Sequence, residues 1–219
     1  AIGLSGLAWG VVLGAFLHLA IQLPFIVESG FFPRFIFRIN FLELKKVVLL
    51  SLPRTLSLSA NQIALLFLVM FASFLAEGSI TIFNFSFNLQ SVPLSIIAVS
   101  YSVAAFPTLA RLFSSGEREE FLAHVVIAAR HIIFWSLPAV VLFIVLRAQI
   151  VRVILGSGSF DWTDTRLTAA ALALFSVSLL AQGLILLFVR GYYAAGNTVR
   201  PLVVNVASAA LVIIFSFLL

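Results

Sequence analysis

Cysteine is absent from the 219 residues of this sequence, and charged side chains are scarce. The lack of cysteine excludes a disulfide framework and a thiolate metal site. Charged residues make up 10% of the chain, whereas soluble domains contain about 25%. The 8 acidic residues all fall in expected loops or at the ends of apolar runs. A membrane-embedded hydrolase or a proton-relay pump is therefore hard to build from these residues.

Apolar residues dominate the chain instead. They make up 63% of it, against about 45–50% in soluble domains, and Phe alone accounts for 23 residues. This composition predicts an integral membrane protein. The formal charge of +5 does not indicate nucleic-acid binding, because the Lys and Arg residues stand singly or in pairs beside apolar runs.

Six apolar runs are long enough to cross a bilayer, whose core takes about 20 helical residues. The sequence shows no β alternation, so we expect an all-α polytopic bundle. The expected spans are residues 4–26, 47–75, 79–110, 121–146, 167–189 and 202–219.

Residues 27–46 mix charged side chains with aromatics, which is typical of an amphipathic segment at the membrane surface. We expect this segment to connect a helix within 1–26 to a helical bundle within 47–219. The only methionine is Met70, and the chain ends inside an apolar run. An internal fragment of a larger membrane protein is therefore expected.

The basic residues are distributed unevenly between the two ends of the spans. Only Arg147, Arg152 and Arg166 lie on one side, and the remaining Lys and Arg lie on the other. Cytoplasmic loops carry an excess of Lys and Arg, so the side with three arginines is predicted to face outward.

The longest polar break lies on this outward side, between the fourth and fifth spans. Gly156 and Gly158 are expected to supply a flexible backbone. Asp161, Thr163 and Asp164 offer oxygens that cap the first amides of the next helix. The two glycines lack the preceding strand and following lysine of a phosphate-binding loop.

Polar residues inside the spans are candidates for a cavity, because polar groups in hydrocarbon usually face another helix or water. Asn61 and Gln62 lie near the middle of the second span. We define the polar stripe of the third span as four residues spaced by four, three and four, which places them on one helical face: Asn84, Asn88, Ser91 and Ser95. Both a cavity wall and interhelical packing remain open for the stripe.

The remaining polar side chains favour structural roles. Gln182 and Asn205 stand alone, and hydrogen bonds to neighbouring helices are expected for both. His18, His124 and His131 have no acidic partner within reach of a shared helix face, so neither a catalytic nor a metal site is predicted.

Six stretches in order resemble the MviN/MurJ family, the lipid II flippases of the multidrug/oligosaccharidyl-lipid/polysaccharide exporter superfamily. They are spread over residues 51–201: SLPRTLSLSANQI (51–63), ASFLAEGSI (72–80), LQSVPLSIIAVSYSVAAFPTLAR (89–111), EEFLAHVVIAARHIIFWSLPA (119–139), LGSGSFDWTDTRLTAAALALFS (155–176) and YYAAGNTVRP (192–201).

The resemblance implies a fourteen-helix parent with two six-helix lobes and two extra helices. Residues 1–26 would be the last helix of the first lobe, 27–46 the cytoplasmic inter-lobe connector, and 47–219 an incomplete second lobe. It also implies a multi-pass protein of the bacterial cytoplasmic membrane that acts as a monomer and needs no cofactor or metal. Transport coupled to an ion or to the membrane potential is compatible with this resemblance.

The implied activity is movement of lipid II, an undecaprenyl-pyrophosphate-linked precursor, from the inner to the outer leaflet by alternating access. Polar and cationic cavity residues would receive the anionic headgroup, and the candidates here are Arg54, Asn61, Gln62, Asn84, Asn88, Ser91 and Ser95. A related polysaccharide-lipid flippase, a cation-coupled exporter and a non-transporting membrane scaffold are the alternatives.

Two positions depart from the family pattern. Family members often have Asp where this chain has Leu68, and an Asp-Arg pair where it has Phe87-Asn88. The first change removes an acid suspected of cation binding, and the second removes a cavity cation, although Asn88 can still donate hydrogen bonds.

Overall fold

The computed structural model describes residues 3–30, 41–156 and 160–218, and these are helical almost throughout. The helices are α1 (Gly3–Glu28), α2 (Phe41–Ser73), α3 (Ser79–Leu94), α4 (Ser100–Ser114), α5 (Arg118–Val145), α6 (Arg147–Leu155), α7 (Trp162–Ala194) and α8 (Val199–Leu218). A π-helical turn, Ser95–Val99, joins α3 to α4, so that the two form one span. Six helices are long and apolar enough to cross a membrane, and the described residues contain no strand. The predicted all-α membrane fold is confirmed.

The chain divides into two compact units, Ala1–Lys46 and Val47–Leu219, with the boundary inside α2. In the first unit no residue of α1 with a described side chain is buried, and Gln22 hydrogen-bonds to His18 one turn away at 2.8 Å. The assignment of these units to two lobes of a larger transporter stays a prediction.

Helix α7 is the centre of the second unit. It packs against α3, α4, α5 and α6, and more lightly against α8. Leu172, Leu179 and Leu187 lie about two turns apart along α7 and are fully buried. Gly183, between them, permits close approach, since an added Cβ would lie 3.0 Å from Ala98 Cβ. Apolar packing around α7 therefore holds the unit together.

Two helix boundaries differ clearly from the predictions. α2 begins at Phe41, inside the predicted connector, because long basic side chains such as Lys45 and Lys46 fit a helix end and reach the interface. Residues 31–40 of that connector lie outside the described part of the chain. α7 continues to Ala194, beyond the predicted end at residue 189, so Arg190 is helical rather than part of a loop.

Candidate functional site

The polar break on the predicted outward side forms a helix cap. Asp161 accepts a hydrogen bond from the backbone N–H of Asp164 at 2.8 Å, and the Asp164 carboxylate accepts one from the Asp161 N–H at 3.1 Å. This reciprocal pair satisfies amides that the first turn of α7 leaves free. The Thr163 side chain is exposed and makes no hydrogen bond among the described residues, whereas Thr165 donates to the Asp161 carbonyl at 2.8 Å.

Gly156 ends α6 for a different reason from the one expected. Its φ is −75°, which any residue can adopt, so backbone flexibility is not what the position requires. A Cβ at Gly156 would instead collide with the Arg152 carbonyl oxygen and lie 2.8 Å from Arg152 Cδ. Gly158 lies outside the described residues.

The polar stripe faces away from the packed side of its helix. The buried residues of α3 are Ser86, Leu89, Gln90 and Pro93, which lie about half a turn from the stripe and face α7. Asn84, Asn88 and Ser95 are exposed, and Ser91 is half-buried.

The two serines of the stripe are satisfied within their own helix. Ser91 donates to the Asn88 carbonyl at 2.7 Å, and Ser95 donates to the Ser91 carbonyl at 2.8 Å. The amides of Asn84 and Asn88 have no hydrogen-bond partner among the described residues. The stripe is therefore not used for interhelical packing within this part of the chain.

The other polar candidates of the second span lie apart from the stripe. Asn61 and Gln62 are exposed on α2. Among the described residues of the second unit, side chains of α2 contact α7 and α8, and its backbone does not pack closely against α3. The structure does not bring these two amides together with Asn84 and Asn88.

A basic cluster lies at the opposite end of the unit from the Asp161 cap, and we define it as Arg54, Arg190 and Tyr193. The Cζ atom of Arg54 lies 5.4 Å from the centroid of the Tyr193 ring, a cation–π contact between α2 and α7. Arg190 is half-buried and donates from Nη1 to the Val99 carbonyl at 3.2 Å. Arg190 lies three residues before Tyr193 on α7, so both guanidinium groups lie at this end of the helix.

The π-helical turn links the polar stripe to the basic cluster. Ser95 is the first residue of the turn and the last of the stripe, and Val99 ends the turn and accepts the Arg190 hydrogen bond. A π turn interrupts the α-helical hydrogen-bond register, and such turns are frequent at functional sites. The turn thus joins the last residue of the stripe to the carbonyl that Arg190 binds.

Sequence reasoning missed two residues of this region. The predicted span 167–189 leaves Arg190 outside it, because a charge after an apolar run usually marks the end of a span. The position of Arg190, four residues before the end of α7, could have been suspected from the apolar and aromatic residues that follow it. Gln90 lies off the face of the stripe; it is 1% exposed, and its Nε2 atom has no partner among the described residues.

Two isolated amides differ in their partners. Asn205 of α8 donates to the Ser57 hydroxyl of α2 at 2.6 Å, so its predicted interhelical bond is confirmed. Gln182 donates to the Ser178 hydroxyl of its own helix at 2.6 Å, so the same prediction for Gln182 is wrong. Four residues separate that pair, which brings them onto one face of α7.

Of the positions that depart from the family pattern, Phe87 packs against other aromatic side chains. Phe87 stacks on Phe83 with centroids 6.1 Å apart and meets Phe175 of α7 edge-on at 6.0 Å. Leu68 is half-buried on α2. Aromatic contacts of this kind stabilise helix pairs.

The histidines make local contacts. His131 contacts the Ile127 carbonyl through Nδ1 at 2.8 Å and stacks on Tyr101 at 5.5 Å. His124 contacts the Glu120 carbonyl at 3.0 Å. Within the described ranges, no three His, Asp or Glu residues are grouped as a metal site would require.

Comparison with known proteins gives one consistent result. The family model described as "Lipid II flippase MurJ" matches residues 2–219. A protein of Bdellovibrio bacteriovorus named "Probable lipid II flippase MurJ" is 32% identical over 94% of this chain and 39% of its own length. The protein of the same name from Vibrio cholerae is 30% identical over 90% of this chain and 37% of its own length.

A Buchnera aphidicola protein of that name is 29% identical over 90% of this chain and 38% of its own length. This chain therefore spans less than half the length of the curated relatives it matches. No solved structure matches it.

Proposed function

Because the chain belongs to the MurJ family of lipid II flippases, we propose that the protein containing it moves lipid II from the inner to the outer leaflet of the bacterial cytoplasmic membrane. The match over residues 2–219 is the observation that carries the proposal. On this proposal the protein is a multi-pass transporter rather than an enzyme, and an undecaprenyl-pyrophosphate-linked precursor is its substrate.

The basic cluster supports a role in receiving the pyrophosphate. Two guanidinium groups lie at this end of α7, and no acidic side chain pairs with either among the described residues, so an anion could neutralise both charges. Arginine also forms paired hydrogen bonds with phosphate oxygens. We infer that Arg54 and Arg190 attract the headgroup on the cytoplasmic side, as the Lys and Arg distribution predicts.

The polar stripe supports a path for the headgroup away from the cluster. Exposed asparagine amides are costly against lipid, so Asn84 and Asn88 favour a water-filled cavity wall. Their amide groups can donate to phosphate or sugar oxygens without holding them as strongly as a cation does. Alternating access would then expose one end of this polar face at a time.

The proposal is tested by replacing the native flippase in a depletion strain with the full-length protein. We expect growth to continue and newly made lipid II to become accessible at the outer leaflet. If cells lyse and lipid II accumulates in the inner leaflet while the protein is present in the membrane at normal levels, the proposal is wrong.

A further inference from the structure

A cavity of about 490 Å³ lies between α6 and α7, at the end of the unit away from the basic cluster. Its lining includes Arg147 and Ala148 at the start of α6 and Thr163, Arg166 and Leu167 in the first turns of α7. Two guanidinium groups thus share a cavity whose remaining lining is largely small or apolar.

The charge distribution makes these arginines exceptional. The side of the membrane predicted to face outward carries only three basic residues, Arg147, Arg152 and Arg166, and all three belong to this corner of the fold. Basic residues are disfavoured on that side during insertion. Two of the three, Arg147 and Arg166, line one cavity, which indicates a use for the charge there.

The hydrogen-bonding capacity of the two lining arginines is largely free. Arg147 donates from Nη1 to the Ile144 carbonyl at 2.7 Å, which leaves most of its five N–H groups unused. Arg166 is exposed and has no partner among the residues described. The nearby carboxylates of Asp161 and Asp164 accept from each other's backbone N–H groups in the α7 cap.

The surroundings place this cavity at the level of lipid headgroups. Trp162, next to the lining residue Thr163, is 61% exposed, and tryptophan is enriched where headgroups meet the hydrocarbon. Val153 of α6 is 85% exposed, as a side chain that contacts lipid would be. A ligand here would meet arginines at one end and an apolar environment at the other.

From the shared cavity, the free guanidinium groups and the apolar surroundings, we propose that Arg147 and Arg166 bind the phosphate of an anionic phospholipid in the outer leaflet. The fork of donors on arginine matches phosphate oxygens, and the apolar lining favours a lipid over inorganic phosphate. This site is separate from the basic cluster and does not depend on lipid II being the transported substrate.

The test measures binding of a short-chain phosphatidylglycerol to the purified full-length protein. The double variant Arg147→Gln/Arg166→Gln should weaken binding at least about tenfold, since each charged hydrogen bond is lost. Arg152→Gln is the matched control, because Arg152 is on the same side but does not line the cavity and donates to the Phe160 carbonyl at 3.4 Å. Phosphatidylcholine and inorganic phosphate, tested in parallel, should bind more weakly than phosphatidylglycerol.

Equal affinity of the wild type and the double glutamine variant would overturn the proposal, as would an equal loss in the Arg152→Gln control. Inorganic phosphate that binds as tightly as the lipid would overturn the assignment to a lipid headgroup. If the glutamine variant does not fold, Arg147→Lys/Arg166→Lys decides the question: retained charge without the guanidinium fork should weaken binding, and unchanged binding would contradict the role of the fork.

The predicted outward position has its own test. These 219 residues contain no cysteine, so Thr163→Cys gives them a single thiol, and that thiol lines the cavity. A membrane-impermeant maleimide should label this thiol in the full-length protein in intact cells, after any cysteines elsewhere in that protein are replaced. Labelling only after the membrane is permeabilised would place the cavity on the cytoplasmic side and contradict the outer-leaflet assignment.

Discussion

Arg190 shows how a single residue connects packing to the proposed chemistry. Its side chain is half-buried in a membrane helix, where a cation is costly, and its hydrogen bond goes to a backbone carbonyl rather than to an acid. Arg54, which contacts Tyr193, adds a second positive charge. Such an arrangement is poorly suited to structural stability alone and well suited to an anionic ligand.

Arg190→Gln in the full-length protein should lower lipid II transport at least about tenfold, because one charged hydrogen bond to phosphate contributes roughly 1.5–3 kcal/mol. Arg200→Gln is the control, since that side chain is exposed on α8 and its backbone N–H, not its guanidinium, donates to Asn197. Transport is measured as the rate at which lipid II reaches the outer leaflet. Equal rates for both variants would remove Arg190 from the site.

Gly183 is the residue on which close packing of α7 depends most. A Cβ at this position would lie 3.0 Å from Ala98 Cβ and 3.2 Å from Ile132 Cγ2, whereas nothing lies within 4 Å of a Cβ at Gly191. Gly183→Ala should therefore destabilise the protein by about 1 kcal/mol or more, and Gly191→Ala should leave it unchanged or stabilise it. Thermal unfolding in detergent checks both. A lower Tm for Gly191→Ala than for Gly183→Ala would contradict this account of the packing.

At the residue scale, sequence reasoning found positions but not always their surroundings. The spacing of Asn84 and Asn88 correctly placed both on one helical face, because helical periodicity is local information. The burial of Gln90 depends on which face of α3 meets α7, and a single sequence does not contain that contact. The capping pair of Asp161 and Asp164 was predictable, since its chemistry lies within four residues.

At the scale of elements, the span formed by α3, the π turn and α4 has two faces with different tasks. One face packs on α7 through Ser86, whose hydroxyl donates to the Thr168 carbonyl at 3.0 Å, and the opposite face carries the polar stripe. Pro93 interrupts the hydrogen bonds of α3 just before the π turn. The apolar pattern predicted this span, but the change in register was invisible because the residues of the turn are compatible with an α-helix.

The stripe can be tested against an amide of similar polarity that is bound within its own helix. Asn88→Leu should reduce rescue of a flippase-depleted strain, because it removes an exposed donor from the proposed cavity wall. Gln182→Leu should have less effect, since Gln182 bonds to Ser178 of α7. Rescue and membrane levels of both variants are compared. Equal, negligible effects would mean that the stripe is not part of the transport path.

The contact between α2 and α8 depends on one polar pair and on aromatic packing. The Asn205 Nδ2 atom lies 2.6 Å from the Ser57 hydroxyl, and Phe71 meets Phe217 with centroids 6.3 Å apart. A double-mutant cycle with Asn205→Leu and Ser57→Ala should give a coupling free energy of about 0.6–1.7 kcal/mol. The free energy of unfolding is the measured quantity. Strict additivity of the two substitutions would show that the bond does not hold the helices together.

At the scale of the whole molecule, the second unit places two basic sites at opposite ends of one central helix. Arg190 lies near the end of α7 and Arg166 near its beginning, with buried leucines between them. The chain matches its family over residues 2–219 but covers only 39% of the Bdellovibrio relative. Transport is therefore a property to be measured on the full-length protein.

Transport of lipid II by the purified full-length protein in sealed vesicles tests the central claim most directly. We expect labelled lipid II to change leaflets faster than in protein-free vesicles, and Arg54→Gln/Arg190→Gln to slow this movement at least about tenfold because both guanidinium groups are lost. The measurement is made with and without an imposed membrane potential. A folded protein that leaves lipid II in its original leaflet under both conditions would contradict the proposed function.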